Sequence, residues 1–392
     1  MKRIINLLLV LVVSLVLVSC AKKTTPSTST KPAEDIVKVE DSLGREVTID
    51  RNKVNKVVCV GAGALRLYSY IGDMNKIVGA EDIDRNQDNA DLSLFGAKGF
   101  RGISRPYYDY NKDYLKTVLT VGLGGPRNQN AETEKILAAN PDLIISQYLD
   151  VEKANKLSAD TDTPVILVKY GNNHNVFDET LYQSFTILGK VLNKEARAKE
   201  VVDYIKAQKE LLATYKVNAT EAEKNTTFYI GCLGNWGTQD ILSTSLQYTA
   251  FNAVGVKYAL DSSAVITDGK ITLEKLVEVD PDVIILDAAG ISTFLSTTYA
   301  EHKDVIDNLS AVKNGKVYVQ MPFNAYYTNI EISIMNAFYI AKLAYPSTTS
   351  SIDIAAKSTE ILAKFLGEGA TYDLVKNMQY SYGGYGVYNL GQ

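Results

Sequence analysis

Glu134-Lys-Ile-Leu-Ala-Ala-Asn-Pro-Asp-Leu-Ile-Ile145 returns 140 positions later as Glu274-Lys-Leu-Val-Glu-Val-Asp-Pro-Asp-Val-Ile-Ile285, aligned without a gap. Each copy reads as a short amphipathic helix, a Pro-Asp break and an apolar run suited to a buried strand. Working outward, β-rich runs fall at 56–62, 76–81, 142–147 and 164–170, and the second half repeats the layout at 226–233, 256–260, 282–287 and 316–321. Strands alternating with helical segments give an α/β class with largely parallel sheets, and the repeat gives two similar Rossmann-like lobes. Between them, 178–216 contains no Pro and one Gly, with Leu181, Phe185, Leu188, Val201, Tyr204 and Ile205 at helical spacing. That pattern predicts a long connecting helix, bent near 189–193, acting as a stiff spine. The partition is then a leader at 1–19, a linker at 20–38, lobes at 39–177 and 217–346 around the connecting helix 178–216, and C-terminal helices with a Tyr-rich tail at 347–392.

The whole chain has 392 residues, 46% of them hydrophobic, and a formal charge of −4 from 41 basic and 45 acidic residues. Such a chain buries a large core and offers no bulk attraction to nucleic acid. Lys2 and Arg3 precede an uncharged apolar run from Ile4 to Val18, which ends in Leu17-Val18-Ser19-Cys20. Fifteen helical residues span about 23 Å, short of a hydrocarbon core of about 30 Å, so the run reads as an export signal rather than a membrane anchor. Ser19 before Cys20 is similar to a bacterial lipobox, which makes Cys20 the acylated new amino terminus. The stretch 21–35 lacks a packed apolar face and reads as a flexible spacer. The two remaining cysteines, Cys59 and Cys232, sit in separate apolar runs and read as buried free thiols.

The acylated signal, the paired lobes, the connecting helix and the repeated Glu…Pro-Asp units together resemble the substrate-binding proteins of ABC importers for ferric siderophores, haem and cobalamin. Further marks are Asp41-Ser-Leu-Gly-Arg-Glu-Val47, Lys76-Ile-Val-Gly-Ala80 and Asn130-Ala-Glu-Thr-Glu134. The resemblance implies the class III periplasmic-binding-protein fold, no enzymatic activity and no resident cofactor. It also implies a monomer held at the outer face of the membrane by its lipid, which hands a captured ligand to a permease dimer with ATPase subunits. By motif position, Glu134 and Glu274 are the residues that would meet the two permease subunits. Read as plain structure, a Glu in a first helical turn complements the helix dipole.

In open α/β sheets, ligands lie beyond the carboxyl ends of the strands, which names the loops at 61–66, 82–125, 147–149, 234–239, 287–290 and 322–329. Gly61-Ala-Gly63 is not a dinucleotide fingerprint, because Arg66 stands where the third Gly would be. Arg105, Tyr107 and Tyr108, with Arg101 and Arg127, are the expected ligand wall of the first lobe. Trp236, Asn235, Asn324, Tyr326, Tyr327 and Asn329 are that of the second, which contains no Arg. Only two His occur, His174 and His302, both outside these loops, whereas capture of a bare transition metal recruits several. An iron chelate, foremost a ferric siderophore, fits this inventory best; molybdate or tungstate, haem and cobalamin remain alternatives. Motifs for acyl transfer or zinc hydrolysis are absent from the sequence. Outside transport, the competing class is a surface adhesion lipoprotein.

Overall fold

A computed structural model describes residues 35–85, 105–125, 131–234, 239–262, 264, 266–378 and 381–390. A hairpin of β1 (Ile36–Glu40) and β2 (Glu46–Asp50) comes first. One parallel sheet follows, made of β3 (Val57–Val60), β4 (Ile77–Ala80), β5 (Leu119–Thr120), β6 (Leu143–Ser146) and β7 (Val165–Leu167) in the order β5-β4-β3-β6-β7. A second sheet holds β8 (Thr227–Gly231), β9 (Lys257–Tyr258), β10 (Val283–Asp287), β11 (Val317–Gln320) and β12 (Gly386–Val387) in the order β12-β11-β10-β8-β9. Only β12 runs antiparallel in it. The order β4-β3-β6-β7 in one half thus matches β9-β8-β10-β11 in the other. The central strands are apolar and buried along their length, as strands covered on both faces require.

The Pro-Asp break has a mechanical role in both halves. The helices Thr133–Ala139 and Leu273–Val279 end on left-handed caps, Asn140 and Asp280. Two residues further on, a carboxylate ties the new strand to the start of its neighbour. Asp142 accepts from the backbone N–H groups of Asn55 (3.0 Å) and Lys56 (2.8 Å) ahead of β3. Asp282 accepts from the N–H (2.8 Å) and hydroxyl (2.7 Å) of Thr227 at the start of β8. These bonds hold the Asp282 carboxyl below the usual range, against the opposing effect of its partial burial.

All eight expected strands form, and the structure corrects or refines the sequence reading at three places. The linker is shorter, because β1 begins at Ile36. Its hairpin turn, Asp41 to Arg45, is organised by the buried Asp41 carboxylate, which accepts from the N–H groups of Leu43, Arg45 and Leu167 and pairs with the Arg45 side chain. Next, the connector is two helices, Glu179–Leu192 and Glu195–Asn218, packed against each other. The break falls at Asn193, which takes the left-handed cap at φ 55°, whereas Gly189 serves packing and lies too close to Ala198 for a Cβ. The second helix crosses between the halves. Arg197 near its start donates to Tyr70 O, and the Tyr215 carbonyl near its end accepts from Thr348. Finally, the C-terminal segment is integral. The helix Ile354–Leu366 returns to the first half, where Arg197 donates to Lys364 O and the Phe365 ring meets Tyr70 at 4.9 Å. In the tail, Tyr385 stacks on Tyr372 at 5.8 Å and donates to Asn336. One apolar core consequently runs through both halves. Cys59 and Cys232 are buried free thiols, as expected. No helix of the described residues is long and apolar enough to cross a membrane.

Replacing Asp142 with Ala leaves two strand-initiating N–H groups without their charged acceptor, a loss of about 2 kcal/mol. The urea midpoint should fall with little change in slope, and the Asp282→Ala variant should behave alike.

Candidate ligand site at the carboxyl ends of the two sheets

The loops that follow β3, β4, β6 and β7 meet the loop 322–329 that follows β11. Arg66, in the helix Ala64–Ser69 just after β3, is fully buried and reaches across. Its guanidinium donates to Ala325 O at 2.6 Å, Tyr326 O at 3.1 Å and Asn329 Oδ1 at 2.8 Å, all from the second half, and to Tyr170 Oη at 3.2 Å. It also lies 4.7 Å from the centre of the Tyr107 ring. Burial works against its charge, but Tyr170, Tyr107, Tyr70 and Glu331 more than offset this and raise its pKa.

A second tie runs the other way. Tyr326 Oη donates to Glu81 at 2.5 Å, and the same carboxyl oxygen accepts from Gly61 N–H at 3.2 Å. Burial lifts Glu81 to about 8, so it is largely protonated at neutral pH. Asp287, at the end of β10, is pushed to about 7 by burial although Phe323 N–H and Gln320 donate to it. Glu331, paired with the Tyr70 hydroxyl, is also raised by burial.

Tyr326 and Tyr327 both adopt left-handed backbone, with φ of 50° and 71°. The turn they make sets Tyr327 among rings from the first half: Tyr170 at 4.4 Å, His174 at 5.5 Å and Tyr148 at 6.4 Å. His174 shares a 2.8 Å hydrogen bond with Thr328 Oγ1, and burial lowers its pKa, favouring the neutral ring. Tyr148, His174, Asn324 and Tyr327 are only half-buried and form the accessible part of the group. Gly63 belongs to the same construction. Its φ of 77° and lack of a side chain let the Tyr170 hydroxyl rest against its carbonyl at 2.9 Å, where a Cβ would sit 2.3 Å from that oxygen.

The expected residues separate into three groups. Tyr326, Tyr327, Asn324 and Asn329 converge on this junction, although Asn329 is spent on Arg66 and Pro322 O, and Asn324 donates to Gly234 O at 2.7 Å. Arg105 and Tyr107 differ from the expectation of an open ligand wall. Both are fully buried around Asp84, at 3.0 and 2.5 Å, and Arg105 packs over the nearly buried Tyr108. Their bidentate and aromatic chemistry is used to bury a carboxylate that sequence alone could not pair with them. Arg101, Arg127, Asn235, Trp236 and Cys20 lie outside the described residues. Sequence reasoning passed over Arg66, Glu81, Tyr148, Tyr170 and His174. Arg66 and Tyr148 lay in loops already named, and His174 follows β7 by the same strand-end rule, so its exclusion from the cleft is corrected. Among the described residues, no group of three or more His, Cys, Asp or Glu could hold a metal ion. The half-buried surface is suited to flat or ring-bearing ligands bound by stacking, hydroxyls and an amide.

The sequence profile of the family described as periplasmic binding protein matches residues 57–322, from the first strand of the parallel sheet to the start of the cleft loop. The chain belongs to this family, with the class III fold, and is a non-enzymatic substrate-binding component of an ABC importer. The ferric-anguibactin-binding protein FatB of Vibrio anguillarum is 23% identical over 77% of this chain and 84% of its own. Among solved structures, a periplasmic solute binding protein of Veillonella parvula is similar with TM-score 0.63 and 19% identity, covering 88% of this chain and 98% of that one. The molybdate-bound periplasmic protein MolA of a Haemophilus influenzae ABC transporter follows at TM-score 0.59 and 19% identity, covering 86% and 99%. At these identities the structural likeness establishes the fold.

The raised Glu81 group fixes the sign of a pH effect. The folded chain binds a proton there between about pH 4.5 and 8 that the unfolded chain has released, so stability falls as pH rises through that window. Thermal unfolding from pH 5 to 8 should show this decline, and Glu81→Gln should flatten it, leaving a smaller slope from Asp287.

Proposed function

We propose that this chain is the lipid-tethered, extracytoplasmic receptor of an importer for a ferric siderophore. The observation that carries the reading is the ring group of Tyr148, Tyr170, His174 and Tyr327, gathered from both halves at the strand ends. Aromatic walls with hydroxyl and amide donors suit a chelate that already saturates its iron, and FatB, which matches over most of its length, is by name a ferric-anguibactin-binding protein. Among the described residues of the junction, Arg66 and Arg105 are both bonded to protein groups and act as internal ties. Arg101, Arg127, Asn235 and Trp236 complete the proposed wall, and the chain acts as a monomer.

Glu134 and Glu274 dock the permease in this reading. Both are exposed, in the first turns of matched helices. The spacer 21–35 keeps the folded part clear of a membrane reached through acylated Cys20.

Titration of the mature chain with ferric siderophores, haemin, cobalamin and molybdate, followed by emission of the lone Trp236, tests the ligand. A ferric siderophore should bind at about micromolar Kd or tighter and outcompete the others. Preference for molybdate or haemin would replace the ligand within the same family, and tight binding of a host glycan alone would favour adhesion. Separately, Cys20→Ala should shift the protein from the membrane to the soluble fraction without altering its ligand affinity.

A further inference from the structure

The two copies of the repeat share more than a strand break. Each helix, Thr133–Ala139 and Leu273–Val279, drives one apolar anchor into the core, Ile136 in the first and Leu276 in the second, both fully buried. At the next position in each copy, Leu137 and Val277 both remain 43% exposed. Three residues before each stands an exposed Glu, 134 or 274, and the i,i+3 spacing puts acid and apolar side chain on one face of the helix. A single exposed apolar residue is ordinary. The same type of residue at the same place in both halves, beside the same acid, has a common cause.

Both helices begin on the side of the sheets where the candidate ligand site lies. The Glu132 side chain sits against Gly122, just beyond β5, and Ile271 bonds to Leu242 in the segment that follows β8. In the second half, Val277 also opens a groove of about 380 Å³ with Val305 and Leu309, rimmed by Asp280, Asp304 and Asn308. An apolar floor with an acidic rim is complementary to an apolar side chain that carries a basic neighbour. The groove belongs to the second half, but the matched acid and exposed apolar residue recur on both related halves and fit a partner built from two equivalent subunits.

We infer that Leu137 with Glu134, and Val277 with Glu274, are paired acidic and apolar footprints that seat this chain on the two subunits of its permease. The inference rests on the docking reading above and adds the apolar contacts to it. The acids steer and orient, and the apolar pair supplies contact energy that salt does not screen.

The test measures association of the mature chain with its permease and ATPase complex in lipid nanodiscs, at low and high salt. Leu137→Ser with Val277→Ser should weaken association about tenfold or more at both salt levels. Glu134→Ala with Glu274→Ala should weaken it chiefly at low salt and reduce uptake. Melting temperature and ligand titration should stay as in the wild type for both doubles, and the single Leu137→Ser and Val277→Ser variants should lose similar amounts. Wild-type association of the Leu/Val double beside a weakened Glu double overturns the inference and spares the docking reading. A loss confined to one single variant overturns the pairing. If both doubles associate as the wild type does, the docking reading fails and takes the inference with it.

Discussion

A wholly enclosed guanidinium has to be given acceptors by the fold, since an unpaired buried charge costs several kcal/mol. Arg66 is in that position, and three of its acceptors come from one short loop of the opposite half. Carbonyls at Ala325 and Tyr326 can converge on one cation only if the chain doubles back, and Tyr326 and Tyr327 accordingly take left-handed backbone. Such conformations cost about 1–3 kcal/mol each and persist where the surroundings over-determine them. Here the twist directs one ring to Glu81 and the next into Tyr170 and His174. The aromatic group at the strand ends is thus arranged by a buried charge.

The same constraint governs the carboxyl groups. Arg66 and Arg105 lie among Glu81, Asp84 and Glu331, all five buried. Burial raises the pKa of all three carboxyls, and Asp84 pairs with Arg105 while Glu331 accepts from the Tyr70 hydroxyl. Burying a neutral carboxyl costs far less than burying a carboxylate, and a protonated Glu81 still offers an oxygen to Tyr326. The junction is held by matched hydrogen bonds.

How much of this was legible follows from the range of each interaction. The strands were readable because each is a local apolar run, and the repeat of Glu134 to Ile145 at Glu274 to Ile285 showed that two halves share one plan. The break in the connector was also local: it lies at Asn193, an asparagine cap at the end of the 189–193 stretch where the bend was expected. The hairpin β1–β2 depends on Asp41 reaching Leu167, more than a hundred residues away. The site depended on pairings of that kind throughout. Arg105 with Asp84, Arg66 with Asn329 and Tyr326 with Glu81 leave no periodic trace, so residue type suggested ligand contact where geometry shows internal ties. His174 was set aside because it lies outside the loops named from the strand ends, yet the fold brings it to Thr328.

The two halves also diverge in an ordered way. On the outer helices the repeat is kept closely: acid, exposed apolar residue, buried anchor, left-handed cap, Pro and a strand-tying Asp recur in register. At the strand ends it is abandoned. The first half contributes Arg66, Glu81 and Tyr170, and the second contributes carbonyls, amides and the tyrosine pair. A duplicated plan drifts where its two copies serve different ends and is held where both meet the same demand. In the proposed reading, a chelate between two walls has no reason to see them as equivalent, whereas a permease of two related subunits does. Matched outer helices beside divergent strand ends are what those two demands together would produce.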